Sequence, residues 1–228
     1  MKLIYQGKTK DIYQASKSTS VLKFKDDVTG VDGVFDPGAN QVGLSIDGMG
    51  HKNLALTTYF FKKLKQAGIP THFIETNLED NTMTVKTAKV FGQGLEVITR
   101  YKATGSFVRR YGAYIQDGAP LDQYVEFTLK DDEREDPLIN FEGLITLKIM
   151  TEEQYQFLYA LNLKVTDLVR SELEARGIDL YDIKLEFGYL TKSEDIVLID
   201  EISAGNMRAF KDGKLLDPIE LSDIFLEL

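Results

Sequence analysis

Apolar residues recur at helical spacing most plainly between about residues 152 and 176, where Tyr155, Leu158, Leu161, Val165, Leu168 and Val169 fall on one face. Thr151 and Gln154 stand ahead of this run at capping-box spacing, and Gly177 follows it as a stop. A second helical pattern covers 51–67, with Leu54, Phe61 and Leu64 on one side and Ala67-Gly68 before Pro70 at its end. Elsewhere the apolar runs are short and bounded by turn formers, which predicts strands at Leu3–Tyr5, Asp11–Gln14, Val21–Phe24, Thr71–Ile74, Met83–Val85, Leu95–Tyr101 and Val125–Leu129. Phe107–Tyr111 reads as a short helix. Residues 29–50 are dense in Gly, Asp and Asn, including Asp32-Gly33, Asp36-Pro37-Gly38 and Asp47-Gly48, and predict a long loop of the kind that is usually functional or mobile.

Two late runs, Asp182–Gly188 and Val197–Ser203, read as apolar strands that each deliver carboxylates, and Thr191–Asp195 between them has hairpin length. Such a hairpin brings Glu186 and Asp200 together. Neighbouring carboxylates are costly unless a cation compensates them, and hard oxygen ligands of this kind suit Mg²⁺ with substrate phosphates. Nucleotide chemistry is one reading; an amphipathic hairpin with solvated acids is the other.

Composition narrows the field. The chain has 228 residues, is 43% hydrophobic and 28% charged, and carries a formal charge of −9. That balance argues against nucleic-acid binding and against adsorption on anionic membranes. No cysteine is present, so disulfides, thiolate metal sites and cysteine nucleophiles are excluded. His51 and His72 form no metal-binding pair, and no GxSxG elbow supports a hydrolase triad. The order of elements predicts an α+β protein of two lobes, a β-rich one over 1–90 and an α+β one over 91–228, with the site in the cleft between them. No run has the length of a membrane-spanning helix, and a cytoplasmic protein is expected.

Three further segments carry candidate chemistry. Gly7-Lys8-Thr9-Lys10 lies between two predicted strands and could offer backbone N–H groups and two lysines to phosphate oxygens, although it is no P-loop. Arg100 to Arg110 runs from a strand through a small-residue turn into a helix starting near Ser106, whose hydroxyl is placed to cap it. That is anion-site chemistry or a capped helix with solvated bases, in equal measure. Lys130 opens a charged run, Lys130–Pro137, and is the one position there expected to face a cleft.

In chain order, Tyr5–Tyr13, Phe24–Asp27, Ala67–Phe73, Arg100–Gly112, Lys130–Asp132 with Asp136-Pro137, Asp182–Gly188, and Asp200–Ser203 with Arg208 resemble the SAICAR synthetase family across roughly residues 3–210. The resemblance implies a two-lobed fold with a lobe like those of kinases and ATP-grasp enzymes. It also implies an ATP-dependent ligase of purine biosynthesis, joining the carboxylate of carboxyaminoimidazole ribotide to the amine of L-aspartate through an acyl phosphate. By the same resemblance Gly7, Lys8, Lys10 and Lys86 contact the nucleotide, and Glu186 and Asp200 hold Mg²⁺ and ATP with Lys130 close by. Arg100, Ser106 and Arg208 match positions that hold the ribotide phosphate. Small-molecule substrates and a homo-oligomer are the partners it implies.

Three departures from the family pattern stand out. Gly205 replaces the acid expected at ribose hydroxyls, with Asn206 beside it as a substitute. The 30–50 segment carries an apparent insertion, and Met49 stands where a lysine is usual. Asp217-Pro218-Ile219-Glu220 replaces a basic segment, and the family's final helix is expected to be missing. These departures keep open a paralogue that activates a different carboxylate for a different amine. A small-molecule kinase and a nucleotide-binding pseudoenzyme are the remaining alternatives.

Overall fold

The computed structural model describes residues 1–39 and 41–227. In chain order it holds β1 (Lys2–Gln6), β2 (Lys10–Gln14), β3 (Thr19–Phe24), β4 (Asp27–Val31), β5 (Val34–Phe35), β6 (Val42–Ser45) and α1 (Met49–Gln66). These are followed by β7 (Phe73–Asn77), β8 (Thr82–Lys86), β9 (Ala88–Val90), β10 (Leu95–Lys102), α2 (Ser106–Tyr111), β11 (Pro120–Leu129), α3 (Phe141–Thr146) and α4 (Glu152–Glu174). The chain closes with β12 (Asp179–Leu190), β13 (Ile196–Ile199), β14 (Met207–Lys211), β15 (Lys214–Leu215) and α5 (Pro218–Leu226). No described helix is long and apolar enough to cross a membrane.

The first sheet is antiparallel, in the order β1-β2-β3-β8-β7. The second runs β11-β10-β12-β14-β15, with β13 and β9 also paired to β12. Strand β12 is long enough to take partners along both edges, and it is the spine of that sheet. A single large apolar cluster, including Leu22, Phe60, Val97, Leu158, Leu185 and Phe225, draws on both sheets and on α1, α4 and α5. Helix α4 is held at its start by the capping box read from Thr151 and Gln154. Its buried Leu158, Leu161, Val165 and Val169 are the face that the periodicity predicts.

Two regions differ from the sequence reading. The 29–50 segment is not one long loop: β5, β4 and β6 form a small three-stranded sheet, and α1 begins at Met49. Asp32 and Gly33, at φ 51° and 79°, make the tight turn that pairs Val31 with Val34. Left-handed turns of this kind match strand twist, so a Gly- and Asp-rich run can fold as a hairpin. The second region is the C-terminal segment, where α5 forms with Asp217 and Glu220 as its capping box and Pro218 in its first turn. It packs on α1, with Phe225 5.0 Å from both the Tyr59 and Phe60 rings.

Candidate active site

Alternation along β12 places Asp182, Lys184 and Glu186 on one face, at intervals of about 6.6 Å. Strand β10 lies antiparallel to it in a register that sets Glu96 opposite Glu186 and Arg100 opposite Asp182. The result is a ladder of opposed charges. Lys130 Nζ donates to Glu186 Oε1 at 2.6 Å, Lys184 Nζ lies 2.9 Å from Glu96 Oε1, and Arg100 Nη1 donates to Asp182 Oδ2 at 2.6 Å. Thr128 of β11 donates its hydroxyl to the other Glu96 oxygen at 3.1 Å.

At one end of this ladder the hairpin brings the predicted acids together. Ile199 is the register partner of Glu186, so Asp200 follows directly, with its backbone turned to φ 61° at the strand end. Lys10, the first residue of β2, is buried here, with Nζ 3.3 Å from Asp200 Oδ2 and an ion pair to Glu201 Oε1. The turn before it is tight: Gly7 N–H donates to the Lys10 carbonyl at 2.8 Å, and a Cβ at Gly7 would lie 2.6 Å from that oxygen. Lys8 reaches across to Asp132 at 2.8 Å. The run from Lys130 to Asp136 is therefore not merely solvated, because Asp131, Asp132, Glu133 and Asp136 all line the same cavity.

That cavity measures about 550 Å³, and its walls include Gly7, Lys8, Lys10, Lys130, Lys184, Glu186, Asp200 and Glu201. Charge pairing sets the protonation states. Loss of water pushes the Glu186 carboxyl up, and the nearby Asp200 charge adds to this, against the pull of Lys130. Asp200 is also desolvated, yet Lys10 and Lys130 outweigh that and hold it below the usual carboxylate range. The same acids keep both lysines protonated, raising them despite the cost of removing their water. His72 lies behind Asp200, buried against Phe61, and burial lowers it to about 4 in spite of the Asp200 charge.

The other end of the ladder gathers the predicted phosphate-site residues. Arg100 is 1% exposed; its guanidinium donates to Glu126, to Asp182 and, at 2.9 Å, to the Ser106 hydroxyl. Ser106 is thus the first residue of α2 and a partner of Arg100, not the helix cap; the capping position is Gly105. Arg208 donates to Asp182 at 2.9 Å and to Asp36 at 2.6 Å. Burial pushes the Asp182 carboxyl up even against two guanidinium groups. The turn carrying Asp36 stands between cluster and cavity: Pro37 and Ala39 line the cavity, while Asp36 and Gly38 lie against Arg208.

Of two other expected residues, Lys86 lies apart from these groups and Asn206 lines the main cavity. Lys86 is exposed at the end of β8 and borders a separate cavity of about 450 Å³ with Pro70, Thr71 and Glu194. Asn206 is tied to the backbone at this turn. Its amide donates to the carbonyls of Lys184 and Glu201, and its oxygen accepts from Ser203 N–H. Lys184, Glu96 and Glu201 were not singled out from sequence. The signal for Lys184 was present in the i, i+2, i+4 alternation of β12, whereas Glu201 stands beside Asp200 past the end of β13, where no strand alternation marks it.

Fold and site together define an α+β cleft protein with opposed lysines and acids at one end of a charged strand and paired arginines at the other. Comparison makes this specific: a family model described as SAICAR synthetase matches residues 3–218, and the chain belongs to that family. It is 53% identical over 227 residues to the phosphoribosylaminoimidazole-succinocarboxamide synthase of Clostridium tetani, covering 100% of both chains. The synthase of Finegoldia magna is 38% identical, over 99% of this chain and 91% of its own. Among solved structures, a SAICAR synthetase (Type-2) in complex with ADP superposes with a TM-score of 0.85 at 30% identity, covering 98% of this chain and 94% of that one. The synthase of Ehrlichia chaffeensis matches with the same TM-score at 29% identity, over 99% and 96%.

Proposed function

We propose that the chain joins the carboxylate of carboxyaminoimidazole ribotide to the amine of L-aspartate at the expense of ATP. The observation that carries this is the ladder itself: one strand face presents an acid–lysine cluster at one end and an arginine cluster at the other, in a chain 53% identical to a named synthase. A nucleotide's phosphates suit Lys8, Lys10 and the Gly7 turn, and the ribotide phosphate suits Arg100, Ser106 and Arg208.

The chemistry needs no protein nucleophile. A carboxylate oxygen of the ribotide attacks the γ-phosphorus, the bond to the β-bridging oxygen breaks, and ADP leaves. The aspartate amine then attacks the acyl carbon, loses a proton, and inorganic phosphate departs. Lys10 and Lys130, held protonated, spread the negative charge of the phosphoryl group in flight, so catalysis is mainly positioning and electrostatics. Among the described residues no group of three acids or histidines converges to cage a metal. Glu186 and Asp200 still fit Mg²⁺, which commonly takes one or two carboxylates and completes its shell with water and phosphate oxygens. When bound there it would supply further charge neutralisation at the phosphates.

Sheet membership, with β1–β3, β7 and β8 in one large sheet and β9–β15 in the other, supports a division into lobes near residue 90. A cytoplasmic, homo-oligomeric enzyme belongs to the same proposal. The test is turnover: the ribotide, L-aspartate and Mg-ATP should yield the succinocarboxamide and phosphate in equal amounts. Phosphate release only with some other acid and amine would refute the assignment.

A further inference from the structure

We propose that Asp36 is an internal competitor for the phosphate site: its carboxylate holds Arg208 in place of an incoming phosphate and must let go before a phosphorylated substrate is gripped. The proposal rests on the ribotide reading above, and it gives a role to a turn that the reading leaves without one.

The charges of the arginine cluster cancel. Arg100, Arg110 and Arg208 face Glu126, Asp182 and Asp36, and among the described residues these six pair only with one another. A cluster without net charge exerts little long-range pull on an anion. Its three carboxylates are not equally held. The side chains of Glu126 and Asp182 are 2% and 4% exposed, and each pairs with two guanidinium groups. That of Asp36 is 35% exposed and pairs with Arg208 alone. Releasing either of the first two would leave a buried charge uncompensated, whereas Asp36 released from Arg208 returns to water. Asp36 is the exchangeable one.

The turn is built to keep that carboxylate on Arg208. Asp36 Oδ1 accepts from Gly38 N–H at 2.9 Å and from Arg208 Nη2 at 2.6 Å, while Asp182 takes Arg208 Nη1. Two glycine backbones pack beside the same guanidinium: a Cβ would lie 2.9 Å from Arg208 Nη2 at Gly38 and 2.7 Å from Arg208 Cζ at Gly105. With both terminal nitrogens committed and backbone packed beside them, a phosphate oxygen gains the fork by replacing Asp36. Competition of this kind lowers the affinity of every anion by one common factor, set by the fraction of molecules in which Arg208 is free. A ligand with many other contacts absorbs that loss, and a bare anion does not.

The test is calorimetric titration of the full chain with ribose 5-phosphate, inorganic phosphate and sulfate, at saturating Mg-ADP to keep these anions from the lysine cluster. Asp36→Asn preserves an acceptor for Gly38 N–H and removes the charge. It should tighten all three anions by the same factor, about tenfold, as for release from one charge-assisted bond of a partly exposed pair. Asp36→Ser, whose hydroxyl also suits the turn, should do likewise and serves if Asp36→Asn fails to fold. A purely structural role predicts the opposite sign, because a loosened turn weakens binding. Unchanged or weaker binding in the variant, or tightening confined to one anion, overturns the proposal, while ribose 5-phosphate binding by the wild type keeps the ribotide reading standing. If neither wild type nor variant binds ribose 5-phosphate, the ribotide reading falls and the proposal falls with it.

Discussion

Asp182 shows how much one side chain carries. It is 3% exposed and accepts from both Arg100 and Arg208, and Arg100 also grips Glu126. Removing one member of such a buried ionic group leaves charges without compensation, at a typical cost of about 3–5 kcal/mol. Asp182→Ala is therefore expected to lower the urea midpoint by that equivalent, and an exposed substitution such as Lys17→Ala should leave it in place. His72 sets a different expectation. Its folded value near 4 lies below the ordinary 6.5, so in the metal-free chain the unfolded state takes up a proton first as pH falls. Stability is thus retained above about 6.5 and lost as pH drops towards 4, by about 3 kcal/mol in all. Melting curves between pH 4 and 7 should show this slope, and His72→Gln should flatten it. From sequence, the basic character of Arg100 was legible. Its burial was not, because that depends on Glu126 and Asp182 arriving from strands distant in the chain.

At the scale of elements, legibility followed the strength of the local pattern. Helix α4 declared itself by cap and stripe, and the β12–β13 hairpin by two apolar runs with a five-residue polar connection at 191–195. The β4–β6 sheet did not, since its strands are two to five residues long and depend on turn geometry more than on an apolar alternation. Helix α5 was likewise missed, although Asp217, Pro218 and Glu220 are a readable start signal. Its stability comes from tertiary packing: Phe225 is 2% exposed, and the Arg176 guanidinium lies 4.1 Å from its ring centre. Phe225→Ala should cost about 3–5 kcal/mol by chemical denaturation. Amide exchange should then show α1 loosening together with α5.

For the molecule as a whole, the cavity walls belong to both large sheets, so a bound ligand ties them together. Ligand that binds only the folded state adds stability by mass action, about 2.7 kcal/mol at a hundredfold excess over its Kd. Mg-ADP should raise the melting temperature accordingly. Chelation by EDTA should remove most of that rise and stop turnover, with recovery when Mg²⁺ is restored. Asp200→Asn should weaken the nucleotide effect and lower kcat by about a hundredfold or more, the usual loss when one such charge contact is removed.

Strand β12 behaves as a measuring rod. Asp182 and Glu186 are four residues apart on one pleated face, which sets them about 13 Å from one another. No loop movement can stretch that interval, and a single inserted residue between them would turn one of the two to the opposite side of the sheet. Any molecule that engages both ends must therefore match a length written into the backbone, and shorter phosphorylated acids should be rejected for want of reach.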